Sequence, residues 1–139
     1  MLRSLWIPVL LIAGFVQAQA TLTVVADLPS PPRPDALLRV AVCPDWSSFE
    51  NEYGCITVSE TAQAPVTRVT IPELKPGTYA IKCYLDDNAN EKLDTGWMGI
   101  PSEPYGFSNN ASRLAGPPTF EMAKFTISEG TNIHRIRLK

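Results

Sequence analysis

The chain has 139 residues, with 12 Lys and Arg against 14 Asp and Glu and a single His. Its balance is mildly acidic, which argues against a nucleic-acid partner, because such a partner calls for a basic patch. The first 20 residues carry only Arg3, so removing them would leave 11 basic against 14 acidic residues, a net charge of −3.

The N-terminus reads as a secretory signal. Arg3 opens it, residues 5–16 (L-W-I-P-V-L-L-I-A-G-F-V) form an apolar run, and Ala18-Gln19-Ala20 fits a small-x-small cleavage pattern. A run of that length falls short of the roughly 20 residues needed to cross a bilayer. No other stretch is apolar enough, so no stable membrane span is expected after cleavage. The expected organisation is a signal peptide at residues 1–20, one domain at residues 21–139, and a periplasmic or secreted location.

From there the pattern is short alternating runs separated by Pro, Gly, Asn and Asp, with no 3.6-period stretch beyond about two turns. Residues 21–28 predict a first strand with Leu22, Val24 and Ala26 on one face. Residues 36–43 predict a second, with Leu38, Val40 and Val42 together. The segment P-S-P-P-R-P-D between them lacks the donors a strand needs. Residues 66–71 turn Val69 and Ile71 inward. Residues 78–85 give the strongest strand, placing Tyr79, Ile81, Cys83 and Leu85 on one face. Residues 123–127 turn Ala123, Phe125 and Ile127 inward, and residues 133–138 do the same for Ile136 and Leu138. Turns are expected at residues 75–77 and 128–132. Arg135, Arg137 and Lys139 read as the solvated face of the last strand. The expected fold is all-β: a single antiparallel β-sandwich, transthyretin-like or Ig-like, of about seven strands.

Three cysteines in an exported chain leave one over. Cys43 and Cys55 bracket a polar loop, and closing it would stabilise the fold by about 3 kcal/mol through the entropy of the unfolded chain. Pairing of Cys83 with either is the rival; in its strand Cys83 reads as a buried, inert thiol.

Residues 86–121 break the strand rhythm, and a loop that long is usually functional or carries structure of its own. Asp86, Asn88, Asn90 and Asp94 occupy positions 1, 3, 5 and 9 of a calcium-loop pattern, and the Lys92 carbonyl occupies position 7. Calcium is a hard cation that takes six to eight oxygens, and such spacing can converge them. However, Glu91 stands where the turn prefers Gly, and Trp97 stands where a bidentate Glu belongs. Glu103 is a candidate for the missing carboxylate. The competing reading is a metal-free Asx turn, so no cofactor is required and calcium is the one candidate. A remote alternative is a carboxylate-based hydrolase that pairs Asp86, Asp87 or Asp94 with Glu103.

The strings L-K-P-G-T-Y, D-D-N-A-N-E-K-L-D, G-I-P-S-E-P-Y-G-F-S-N-N-A and G-P-P-T-F-E-M-A-K-F together resemble the bacterial DUF2141 family of exported domains. The resemblance runs from about Val69 to Leu138. The L-K-P-G-T-Y turn also looks like that of transthyretin-like and carboxypeptidase-regulatory sandwiches, and implies that fold. Ala89 and Glu91 stand where the family carries two glycines, and Cys43 and Cys55 lie outside its pattern.

Trp97, Glu103, Tyr105 and Phe107 mark a candidate recognition loop, with rigid aromatic faces beside an acidic turn, suited to a carbohydrate, a peptide or a partner protein. The competing reading has Trp97, Tyr105 and Phe107 plugging an open end of the sandwich. Ser108 lacks a nucleophile-elbow context, Asn110-Ala111-Ser112 is formally a glycosylation sequon, and His134 has no evident catalytic partner. The expected function is a non-enzymatic exported binding or accessory module. The alternative is a structural envelope-assembly domain that pairs with a protein partner.

Overall fold

A computed structural model describes residues 11–139. Residues 1–10, which hold Arg3 and half of the apolar run, lie outside the described residues, and residues 11–19 are exposed without regular structure.

Among the described residues, eight strands build two sheets. β1 (Ala20–Asp27) lies between β4 (Val66–Leu74) and β8 (Gly130–Arg137). The second sheet has the order β3 (Ile56–Thr61), β2 (Leu37–Cys43), β5 (Gly77–Asp86), β6 (Tyr105–Phe107), and β7 (Phe125–Ile127) pairs with the start of β5. The all-β expectation holds. The alternation predicted for β1, β2, β4 and β5 is the alternation observed: Leu22, Val24, Leu38, Val40, Val42, Val69, Ile71, Ile81, Cys83 and Leu85 are all buried in one core between the sheets. Fully burying a side chain of this size contributes about 1.5–3 kcal/mol, so this core dominates the stability.

Three expectations need correction. β8 runs parallel to β1, pairing Leu22 with Asn132 and Ala26 with Ile136, so the strands are not all antiparallel. Side chains alternate identically in parallel and antiparallel strands, so the inward residues were legible and the direction was not. Ala123 belongs to no strand. It ends a short helix, α2 (Phe120–Ala123), whose first turn is capped by Thr119, and the strand begins only at Phe125. β3 was not anticipated, because as an outer strand it has almost no buried face.

On the outer face of the second sheet sits a smaller apolar cluster of Cys43, Phe49, Ala80, Phe120 and Ala123. It is covered by α2 and by α1 (Trp46–Asn51), which starts at a capping box formed by Asp45 and Ser48. Phe49 meets Phe120 edge-on at 6.0 Å and Phe107 at 6.2 Å between centroids. Cys43 and Cys55 form the disulfide that ties the end of this segment back to β2, and Cys83 is the buried free thiol. Burial pushes the Cys83 thiol up to about 12, so it stays protonated and inert.

Candidate functional site

The acidic loop leaves β5 at Asp86, whose carboxylate is wholly buried. Arg39, on the neighbouring strand β2, reaches it with Nε 2.6 Å from Oδ2. The same carboxylate accepts the backbone N–H of Asn90 at 3.0 Å and of Glu91 at 2.9 Å. Burial alone would raise its pKa; the Arg39 guanidinium and the two N–H groups outweigh that and hold it below the ordinary carboxylate value.

The Asn side chains fold the rest of the turn. Asn88 Oδ1 accepts from Asn90 N, and Asn90 Oδ1 accepts from Lys92 N, giving two successive Asx turns. Their amide groups donate to the Asp94 carboxylate at 2.6 and 2.8 Å. Glu103 then closes the loop from outside its span: Oε1 accepts from Asp87 N at 3.0 Å and Oε2 from Asp94 N at 2.9 Å. Ala89 and Glu91 adopt φ of 55° and 66°, the left-handed region that favours glycine.

The four side chains of the calcium pattern are therefore near one another and engaged in hydrogen bonds. On Asp86, Oδ2 is held by Arg39 and by Glu91 N, and Oδ1 accepts from Asn90 N. Glu103 binds two backbone N–H groups rather than facing the Asn and Asp side chains. Among the described residues, no three acidic, His or Cys side chains gather around one point. What can still converge is Asn88, Asn90 and Asp94, a donor set with one formal charge.

The candidate recognition residues separate. Glu103 is buried within the acidic loop. Trp97 is 86 % exposed, so it plugs nothing. Tyr105 and Phe107 lie on β6, edge-to-face at 6.0 Å, and floor an open groove of about 680 Å³. Its walls come from two loop segments that bring in Met98, Ile100, Leu114 and a proline-rich turn. Ile100 is 64 % exposed and Leu114 is fully exposed. Arg113, Arg137 and Lys139 also line this groove. The last two had read as a solvated strand face. Their placement depends on β8 coming alongside β6, where Lys139 exchanges both backbone hydrogen bonds with Tyr105.

The segment Ser108–Asn110 staples these parts together. Ser108 Oγ accepts from Ile81 N at 2.8 Å and donates to the carbonyl of Ala123. Asn109 Nδ2 donates to the carbonyls of Met122 and Lys124, and Asn109 N donates to His134 Nε2 at 3.0 Å. Asn110 Oδ1 accepts from Arg137 N at 2.8 Å. Gly106 passes so close to β8 that a Cβ there would lie 2.8 Å from an Ile136 methyl. The densest motif of the sequence is thus scaffold, and the exposed apolar side chains around it are what the scaffold presents.

Residues 33–134 match the family described as "Uncharacterized protein conserved in bacteria (DUF2141)", and the chain belongs to that family. No curated protein and no solved structure matches it.

Proposed function

We propose that this DUF2141 domain is an exported, non-enzymatic binding module, and that its ligand surface is the groove floored by Tyr105 and Phe107. One observation carries the reading. The motif residues Glu103, Ser108, Asn109 and Asn110 are consumed by internal hydrogen bonds, whereas Ile100 and Leu114 stand exposed among the residues that line a cavity within the size range of ligand pockets. The loop carboxylates serve the fold: Asp86 neutralises Arg39 and Glu103 holds two N–H groups, which leaves neither free for acid–base work.

The acidic loop acts in this reading as a brace that fixes the start of the groove wall at Leu93. Calcium on Asn88, Asn90 and Asp94 is the second reading, favoured by the convergence of those three side chains on one another. Unfolding of the protein with excess calcium and with chelator separates the two. A site held at 100 times its dissociation constant adds about 2.7 kcal/mol, roughly 10 °C for a domain near this size; the brace predicts no shift.

The groove itself is tested by a thermal-shift screen of sugars, peptides and apolar probes on the native protein and on a double variant, Ile100→Asp with Leu114→Asp. Both positions are exposed, so the variant should melt where the native protein does. A probe that stabilises only the native protein supports the module. A flat screen combined with a stoichiometric protein partner recovered from envelope extract favours the envelope-assembly role instead.

A further inference from the structure

The groove has a chemical bias beyond being apolar. Three of its lining residues, Arg113, Arg137 and Lys139, carry positive charge, and no Asp or Glu side chain lines it. This is a cationic rim on a chain whose overall balance is acidic. None of the three forms an ion pair among the described residues; the arginine of β8 that does is Arg135, bound to Asp27 through two contacts of 2.6 and 2.7 Å. Unpaired guanidinium groups beside an apolar wall suit a planar anion, which they can hold through paired N–H donors.

The backbone of the groove narrows the choice further. A peptide that adds to a sheet edge as a strand gains its affinity from main-chain hydrogen bonds. Several main-chain groups along the groove are already used: Tyr105 N and O bond Lys139, Ala111 N bonds Ser108 O, Gly99 N bonds Gly96 O, and the Ile100 carbonyl accepts from Gly96 N. Pro101, Pro117 and Pro118 have no N–H to offer. An extended peptide would leave the amides opposite these positions unpaired, at a desolvation cost for each. A hydrocarbon chain asks for no such partners.

Resting on the binding reading above, we propose that the groove takes a single-chain aliphatic carboxylate. Its hydrocarbon lies over Tyr105 and Phe107 between Ile100 and Leu114, and its head group meets Arg113 and Arg137.

The test is isothermal titration of the purified protein with dodecanoate, with dodecyltrimethylammonium of the same chain length, and with a short leucine-rich peptide, all below micelle-forming concentrations. The expected result is saturable dodecanoate binding, at least tenfold weaker binding of the cationic amphiphile and of the peptide, and a loss of at least tenfold in dodecanoate affinity on combining Arg113→Gln with Arg137→Gln. Arg68→Gln, on the exposed face of β4, should leave that affinity unchanged. Equal binding of the two amphiphiles, or of dodecanoate by native and double-Gln proteins, overturns the proposal. Tighter binding of the peptide overturns it as well. If dodecanoate fails while another probe stabilises the protein in an Ile100- and Leu114-dependent way, the carboxylate assignment falls and the binding module stands. If no probe of any class stabilises the protein, both fall.

Discussion

Asp86 and Arg39 meet 2.6 Å apart across neighbouring strands, with the carboxylate shut off from solvent and the guanidinium mostly so. The two residues are 47 positions apart in the chain, so the ion pair forms only when β2 and β5 are in register. Asp86 also holds the backbone N–H groups of Asn90 and Glu91, which makes the loop depend on the sheet.

Removing one partner of such a pair leaves an uncompensated charge, at a cost on the order of 3 kcal/mol. Asp86→Asn should therefore lower unfolding stability by about that amount, read from urea midpoints, and adding Arg39→Met should recover part of the loss. The Asp86 carboxyl is held below its ordinary value of 3.8. A depressed carboxyl gives stability that is complete above the unfolded value and is lost as pH falls through the folded one. Acid titration of stability should show a larger loss in the native protein than in Asp86→Asn, where Asp27, also held low by Arg135, still contributes.

Glu91 holds a φ of 66° with a side chain attached. A left-handed residue costs about 1–2 kcal/mol, and glycine escapes this at an entropic cost of about 0.5–1 kcal/mol. Glu91→Gly should be more stable than Glu91→Ala by about 0.5–1 kcal/mol. The Ala variant controls for the lost carboxylate, so a higher midpoint for Gly isolates the backbone term. Equal midpoints would remove strain from the account of this turn.

Ser108 Oγ accepts from Ile81 N and donates to the Ala123 carbonyl. Ser108→Ala leaves a buried donor and a buried acceptor open, each costing about 1–3 kcal/mol. A loss of at least about 2 kcal/mol is expected, together with faster hydrogen exchange at Ile81 and in α2. A near-neutral substitution would mean that water replaces the hydroxyl.

His134 is the single histidine. Its Nε2 accepts from Asn109 N, and its ring stacks on Phe125 with centroids 4.0 Å apart. Burial lowers its pKa below 6.5. The unfolded chain thus binds the proton more readily, and the stability from the neutral ring is complete above about pH 6.5 and is lost as pH falls below it. Melting temperatures of the native protein should drop between pH 7.5 and 5.5, while His134→Leu should stay flat over that window.

Much of this architecture could be read from residue order. Leu22, Val24, Leu38, Val40, Ile81 and Leu85 announced their strands by alternation, because a half-buried strand needs that period. Cys43 and Cys55 announced their pairing by the short loop between them. The acidic turn was visible as an Asx cluster, yet its spacing served a metal loop and a hydrogen-bonded turn equally well. What the spacing could not show is Arg39, a residue no local pattern connects to Asp86. Glu103 carried the same ambiguity, since a carboxylate that binds two N–H groups and one that binds a cation look alike in sequence. β6 escaped notice because it has three residues, and the groove on it needed Arg137 and Lys139 brought over from the other end of the domain.

The parallel pairing of β1 with β8 has a temporal meaning. β1 is the middle strand of its sheet, and its neighbours begin at Val66 and Gly130. A chain released N-terminus first, from a ribosome or through a membrane pore, exposes one hydrogen-bonding edge of β1 long before residues 130–137 exist to pair with it. Such long-range closure is slow and leaves sticky edges open in the meantime. The sheet around β1 therefore stays open along one edge until the last strand, Gly130–Arg137, has emerged.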